Sequence, residues 1–238
     1  MQGQPADPPA RPGRARRPGR HPVRLRHPAQ PAAPLTHVER NEPVPRTEAS
    51  PRPAGVQAVT REAAHTPAGV FRLLPVDLAR DLPLLGRWMN DPAVASFWEL
   101  AGPWHLTAAH VRAQLTGAGH SVPCLGVLDG RPMSYWEIYR ADLDPLARHC
   151  PVRPHDTGLH LLIGDAADRG RGLGTLLIGV VTGLVLAGLP ACTRVLAEPD
   201  VRNAPCAAAF RNAGFRPSGE IVLPGKRAAL MIRDRCPE

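Results

Sequence analysis

Apolar positions between residues 69 and 235 switch repeatedly between two periods. "GVFRLLPVD" (69–77) is a short apolar run closed by Pro75 and Asp77, the pattern of a strand. Leu78, Leu82, Leu85 and Met89 then recur at helical spacing, so "LARDLPLLGRWMN" predicts an amphipathic helix with Asp77 as its N-cap and its end at Asn90. "TAAHVRAQL" predicts a second helix capped by Thr107. "VPCLGVLDG" and "RPMSYWEIYRAD" are apolar runs joined at Asp129-Gly130, a dipeptide that favours a tight hairpin. Alternation in the second run sends Tyr135, Glu137 and Tyr139 to one face and Trp136 to the other. "TGLHLLIGD" is almost continuously apolar, as expected of a strand covered on both faces. There follow a helix from Thr175 to Gly188, a strand in "CTRVLAEPD", a helix in "RNAPCAAAFRNAGF" closed by Gly214, and a final pair, "GEIVLPG" with "KRAALMIRD". The order β-α-α-β-β-β-α-β-α-β-β predicts an α/β (α+β) domain, a mixed sheet with helices on its faces.

Between the third apolar run and its helix stands "RGRGLG" (169–174). A helix N-terminus leaves several N–H groups unpaired and carries roughly half a positive charge, so it suits an anion. Gly170, Gly172 and Gly174 remove the side chains that would hold a phosphate away, and Arg169 and Arg171 add charged donors. The turn therefore predicts a pyrophosphate site. The spacing is not that of a dinucleotide fingerprint, since no acidic residue follows at the right distance, and G-K-[ST] is absent. It fits R-x-x-G-x-G, with Arg169, Gly172 and Gly174 at the defined positions.

Composition splits the chain. Residues 1–53 hold 13 prolines and 10 arginines against four acidic residues, and so supply most of the formal net charge of +8. Proline at that density forbids helix or strand, which predicts a disordered Pro/Arg-rich tail over residues 1–65 and a folded domain over 66–238. A nucleic-acid-binding arm is the alternative reading of that tail. The chain has a single lysine, Lys226, so its Arg, Pro, Ala and Gly content also reflects codon bias. No apolar stretch is long enough for a secretory signal or a membrane helix. The five cysteines form no C-x-x-C pair, which predicts reduced thiols in a cytoplasmic protein and neither a disulfide frame nor a zinc site. His149 and His155 flank one loop without a third partner, so no metal is expected.

The R-x-x-G-x-G turn, with a strand before it, a helix after it and this element order, resembles the acetyl-coenzyme A loop of the GCN5-related N-acetyltransferases. The phrases "LLGRWMNDPAVASFWEL", "GRPMSYWEIYRAD", "DTGLHLLIG" and "AEPDVRN" further resemble the hydroxamate-siderophore acyltransferases, which acylate N6-hydroxylysine or N-hydroxycadaverine. The mycobactin lysine N-acyltransferases belong to that group. The form is most similar to the hydroxycadaverine acyltransferases of desferrioxamine assembly, and the likeness covers residues 70–235.

The resemblance implies a mostly antiparallel sheet in which "LHLLIG" and "RVLAEP" splay apart. It also implies an acetyl- or succinyl-CoA co-substrate held by the backbone of Leu161, Leu162 and Ile163, by Arg169, Gly170, Arg171, Gly172, Leu173, Gly174 and Thr175, and by Asn203. Many relatives carry a thiolate-protonating Tyr on the helix after Asn203, where this chain offers Phe210 and no Tyr. His160 and Asp200 match the pair assigned to the acyl group, His160 as a neutral base and Asp200 as its orienter or as the holder of a cationic substrate end. Trp88, Phe97, Trp98, Trp136 and Tyr139 are expected to wall a channel for an aliphatic diamine stem, with Glu137 at the far ammonium; strand alternation alone assigns about half of such aromatics to the core. Two other readings stay open: an aminoglycoside 6'-N-acetyltransferase, which shares a "W-x-x-x-P-x-V" phrase, and an inactive binding module with a nucleic-acid-binding tail.

Overall fold

The structure, a computed structural model, describes residues 59–60, 62–117 and 120–236. Most of the Pro/Arg-rich tail expected over residues 1–65 therefore lies outside the described residues. Its boundary moves, however. Val59 is buried in the main core, and Ala63–Thr66 forms an edge strand, β1, paired with β2 (Gly69–Pro75). "AAHT" is too short and too weakly patterned to read as a strand, and the ladder with β2 makes it one.

Six further strands follow: β3 (Ser121–Leu128), β4 (Arg131–Arg140), β5 (Thr157–Ile163), β6 (Arg194–Ala197), β7 (Arg216–Leu223) and β8 (Lys226–Asp234). Their order in the sheet is β1-β2-β3-β4-β5-β6-β8-β7. All neighbours are antiparallel except β5 and β6, which run parallel and pair only at Thr157↔Val195 and Gly158↔Leu196. Beyond Gly158 the ladder between them stops, so Leu159 to Ile163 keep β4 on one side and have no strand on the other.

Five α-helices lie wholly within the described residues: α1 (Leu78–Met89), α2 (Pro92–Trp98), α3 (Trp104–Thr116), α4 (Leu173–Gly188) and α5 (Ala204–Asn212). Asp77 caps α1, its side chain accepting from the Ala79 N–H, as the sequence predicts. α2 is additional, started by Asp91 as cap and Pro92 in the first turn, where a missing N–H costs nothing. Thr107 is not a cap. α3 begins three residues earlier, after Pro103, whose fixed φ suits a helix start, and Thr107 is buried inside the helix with its hydroxyl unpartnered.

The sheet separates two layers. On one face Trp136, Ile138 and Leu159 pack against Leu177, Ile178 and Val181 of α4 and Phe210 of α5. On the other, Tyr135, Leu125 and Leu162 pack against Leu85, Trp88 and Met89 of α1 and Val111 of α3. The expected alternation along β4 is thus realised, with the hairpin at Asp129 and Gly130, both at positive φ. A glycine is required where β5 passes closest to Tyr139. A Cβ at Gly158 would fall 2.0 Å from the Tyr139 ring, which lies across the β5 backbone from the opposed position.

Candidate active site

The interrupted ladder determines what the site can be. Two cavities meet there, one of about 240 Å³ and one of about 610 Å³, sharing Phe97, Trp98, Leu161, Asn203 and Cys206 in their walls.

The larger cavity runs from the open edge of β5 to the glycine turn. Gly170 (φ +70°) and Gly172 (φ +78°) both occupy the left-handed region. A Cβ at either would meet nothing, so the turn selects glycine for its backbone conformation. Gly172 opens α4 with no side-chain cap, which leaves the first N–H groups of the helix for a ligand. The turn is pinned by Arg169, whose guanidinium donates to the carbonyls of Ile163 (3.0 Å) and Gly164 and to Asp91 Oδ1 (3.0 Å). Asp91 thereby caps α2 and holds the turn at once; the Arg169 hydrogen bond draws its carboxyl below the usual carboxylate range. Arg169 is spent on protein groups, a correction to its expected role as a free phosphate donor. Arg171 remains largely exposed, 4.0 Å from Asp168. Gly174, Thr175 and Asn203 line the cavity, and Asn203 caps α5 through Oδ1. Leu173 packs against the main core, as Leu162 does against the α1–α3 core.

The smaller cavity holds the polar chemistry. His160 and Glu137 are directly opposed across the β4–β5 ladder, and His160 Nδ1 lies 2.9 Å from Glu137 Oε2. The other ring nitrogen, Nε2, is hydrogen-bonded to Glu198 Oε1, just past the end of β6. Glu198 Oε2 accepts from the Tyr139 hydroxyl at 2.9 Å. Glu137 Oε1 accepts from Gln114 Nε2 (2.6 Å) and the Tyr135 hydroxyl (2.9 Å), and sits 2.5 Å from His110 Nε2. His110 and Gln114 stand one turn apart on α3, so both reach the same carboxylate. Trp98 sets its ring edge-on to His110, Tyr135 and His160, with centroids 6.4, 5.4 and 6.2 Å away.

Burial alone would disfavour charge on His160. The carboxylates of Glu198 and Glu137 outweigh it and raise the imidazole to about 10. Burial works against Glu137 ionising as well, and its hydrogen bonds from His110 and His160 hold it well below the usual carboxylate range. His160 is accordingly an imidazolium at neutral pH. In place of the expected neutral base, each ring nitrogen faces a carboxylate oxygen, an arrangement that favours an N–H on both.

Asp200 lines the same cavity, but its carboxylate is held by Arg202 (Nη2–Oδ2 2.7 Å), and the His160 ring is oriented by Glu137 and Glu198. Phe97 and Trp98 stand in the cavity wall. Three residues expected there do not. Trp136 is fully buried in the main core with Nε1 donating to Ser134 Oγ, Trp88 is buried in the α1 layer against Asp165, and Tyr139 is buried beneath Glu198. Glu137 lines the wall with both oxygens already engaged, so it is not a free partner for a far ammonium. The sequence reading missed Glu198, His110, Gln114 and Lys226. The i, i+4 pairing of His110 with Gln114 was the available signal for two of them.

Among the described residues no group of three or more His, Cys, Asp or Glu is placed to hold a metal ion. No helix of theirs is long and apolar enough to cross a membrane, and no disulfide joins cysteines among them.

A strand pair parted beside a glycine turn and an uncapped helix is the layout of an acyl-CoA-dependent acyltransferase, and the chain belongs to the GNAT family: residues 77–223 match the acetyltransferase (GNAT) domain. An N(6)-hydroxylysine O-acetyltransferase of Escherichia coli is 36% identical over 165 residues, 69% of this chain and 51% of its own length. This chain thus spans about half of that relative. A lysine N-acyltransferase MbtK of Mycolicibacterium paratuberculosis is 33% identical over 192 residues, 75% of this chain and 86% of its own. Among solved structures, an uncharacterized protein from Bacillus halodurans superposes with a TM-score of 0.69 at 30% identity, covering 73% of this chain and 89% of its own. AAC(6')-Ib, solved with acetyl-CoA, gives a TM-score of 0.61 at 25% identity over 69% of this chain and 93% of its own.

Proposed function

We propose that the protein transfers an acyl group from acyl-CoA to the hydroxylated nitrogen of an N-hydroxy amine, N6-hydroxylysine or N-hydroxycadaverine, in the assembly of a hydroxamate siderophore. The carrying observation is the Glu137–His160–Glu198 array at the point where β5 leaves β6, in a cavity continuous with the one under the glycine turn. Relatives named as hydroxylysine and lysine acyltransferases support the choice of acceptor.

The residues fit the donor. The N–H groups opening α4 and the exposed Arg171 would hold its pyrophosphate, and the free edge of β5 its amide-bearing arm. Acyl-CoA supplies an electrophilic thioester carbon. A primary amine has a pKa near 10.4 and arrives protonated, whereas a hydroxylamine nitrogen is far less basic and arrives neutral. A site whose histidine is already an imidazolium suits the second acceptor. Positioning by Phe97 and Trp98 does the greater part, and the weakly held proton of the attacking nitrogen passes to the Glu198 carboxylate. His160 keeps that carboxylate ionised and in place. Phe210, on the helix where the resemblance implies a Tyr, is buried against Phe215 and donates nothing. His160 is then the group with a proton to give the departing thiolate. Five cysteines with no disulfide among the described residues fit action in a reducing cytoplasm.

The test is thiol release from acetyl-CoA and succinyl-CoA with N-hydroxycadaverine, N6-hydroxylysine, cadaverine and kanamycin offered in parallel. Turnover confined to the hydroxylated amines is expected. Turnover of kanamycin alone would leave the fold standing and replace the acceptor with an aminoglycoside, the reading favoured by the likeness to AAC(6')-Ib.

A further inference from the structure

Lys226 is the single lysine of a chain with 28 arginines, and it stands in the wall of the smaller cavity. It opens β8, directly after the turn at Gly225. Its Nζ donates to the main-chain oxygen of Glu198 at 2.9 Å, while the nearest carboxylate oxygen, Glu198 Oε1, is 4.0 Å away. One of its three donors is therefore used, and on an uncharged group. The carboxylates of that cavity have closer cations: Glu137 and Glu198 both hold His160, and Asp200 holds Arg202. Among the described residues of this wall, Lys226 is the cation with no carboxylate at hydrogen-bond distance. Leaving His110 out of the count, three carboxylates face His160, Arg202 and Lys226, so the wall is neutral with Lys226 and carries a surplus negative charge without it.

The geometry points to Lys226 as a specificity-determining residue that receives a carboxylate of the substrate. That carboxylate is the α-carboxylate of an amino-acid acceptor or the terminal carboxylate of a dicarboxylic acyl donor. The assignment rests on the acyltransfer reading above. A compact ammonium on a flexible stem reaches a single carboxylate oxygen without the fixed fork that Arg imposes, which suits a cavity of about 240 Å³. Removing it leaves the wall with a surplus negative charge, so it selects twice: for a carboxylate and against a second substrate ammonium.

The test compares the full-length wild type with Lys226→Met and Lys226→Arg on four substrate pairs, acetyl-CoA or succinyl-CoA with N-hydroxycadaverine or N6-hydroxylysine. In Lys226→Met, the kcat/KM ratio of carboxylate-bearing over carboxylate-free substrate is expected to fall at least about tenfold, through KM. Lys226→Arg should restore part of it. A fall that follows N6-hydroxylysine with either donor places the carboxylate on the acceptor; one that follows succinyl-CoA with either acceptor places it on the donor. An equal loss on all four pairs would mean that Lys226 only steadies Glu198, and that overturns the proposal. An unchanged ratio, or a wild type that uses only the carboxylate-free pair, overturns it as well. A wild type that releases thiol with no pair at all would sink the acyltransfer reading itself.

Discussion

Glu137 and His160 occupy opposed positions on β4 and β5, and the 2.9 Å contact between Oε2 and Nδ1 follows from that register. A one-residue slip of either strand would turn one of them to the opposite face, against the α4 layer. The contact between Glu137 and His160 is thus fixed by the same hydrogen bonds that fix the sheet.

Its charge makes stability depend on pH from both sides. His160 is raised above its ordinary value of 6.5 to about 10, so its contribution is fully present below pH 6.5 and is lost as pH climbs through 10. Glu137 is held below its ordinary 4.5, so its contribution is present above that value and is lost on acidification. Melting scans should show a plateau between these limits and a fall on the alkaline side. In Glu198→Gln the alkaline fall should begin at lower pH.

Replacing His160 by Ala leaves two buried carboxylates without their shared cation. A loss of about 3 kcal/mol in denaturant unfolding is expected, with kcat/KM lower by about 100-fold on hydroxylated acceptors. His160→Gln, which keeps one donor, should recover much of the stability and little of the rate.

The acceptor's own basicity should appear in kinetics. With N-hydroxycadaverine, kcat/KM should be nearly flat above neutrality. With cadaverine it should be at least about 100-fold lower near pH 7.5 and rise roughly tenfold per pH unit as the amine deprotonates. Equal profiles for the two would count against a site without a neutral base.

The two arginines of the glycine turn should separate cleanly. Arg169→Ala removes the clamp on Ile163, Gly164 and Asp91, so both melting temperature and activity should drop. Arg171→Ala should leave melting within a degree or so and raise the KM for acyl-CoA severalfold, more at low salt than at high. Gly172→Ala should cost about 1 kcal/mol for the forced left-handed backbone, read as a melting shift of about 2–4 °C, with a further rise in that KM.

The tryptophans divide in the same manner. Trp98→Ala strips the ring from both cavities and should raise the acceptor KM by about tenfold with little change in melting. Trp136→Phe loses the bond to Ser134 Oγ inside the core and should lower stability by about 1–2 kcal/mol while KM holds.

What could be read from the sequence was whatever local grammar encodes. The Asp77 cap, the Asp129-Gly130 hairpin, the alternation along β4 and the glycine turn each announce themselves within a few residues. β1 and α2 were missed because four or seven residues carry too little periodicity, and a tertiary ladder or a D-P start decides them. At the site, His160 stood out as a polar residue in an apolar strand, but its partners could not. Glu198 and Asp200 lie two residues apart in "EPD", and only the end of β6 determines which reaches the ring. Trp136 and Trp98 are both aromatic residues in acceptor-side phrases, and only the sheet sends one to the core and the other to the cavity.

Two residue pairs are all that join β5 to β6, so strands β1–β5 and β6–β8 form two half-sheets with a narrow seam between them. A donor laid along that seam bridges the halves as an extra strand would. The substrate is then also a piece of architecture, and at a hundred times its dissociation constant it would add about 2.7 kcal/mol to the fold. Under the proposed placement, the sheet lacks a rung between turnovers and regains one while the donor is bound.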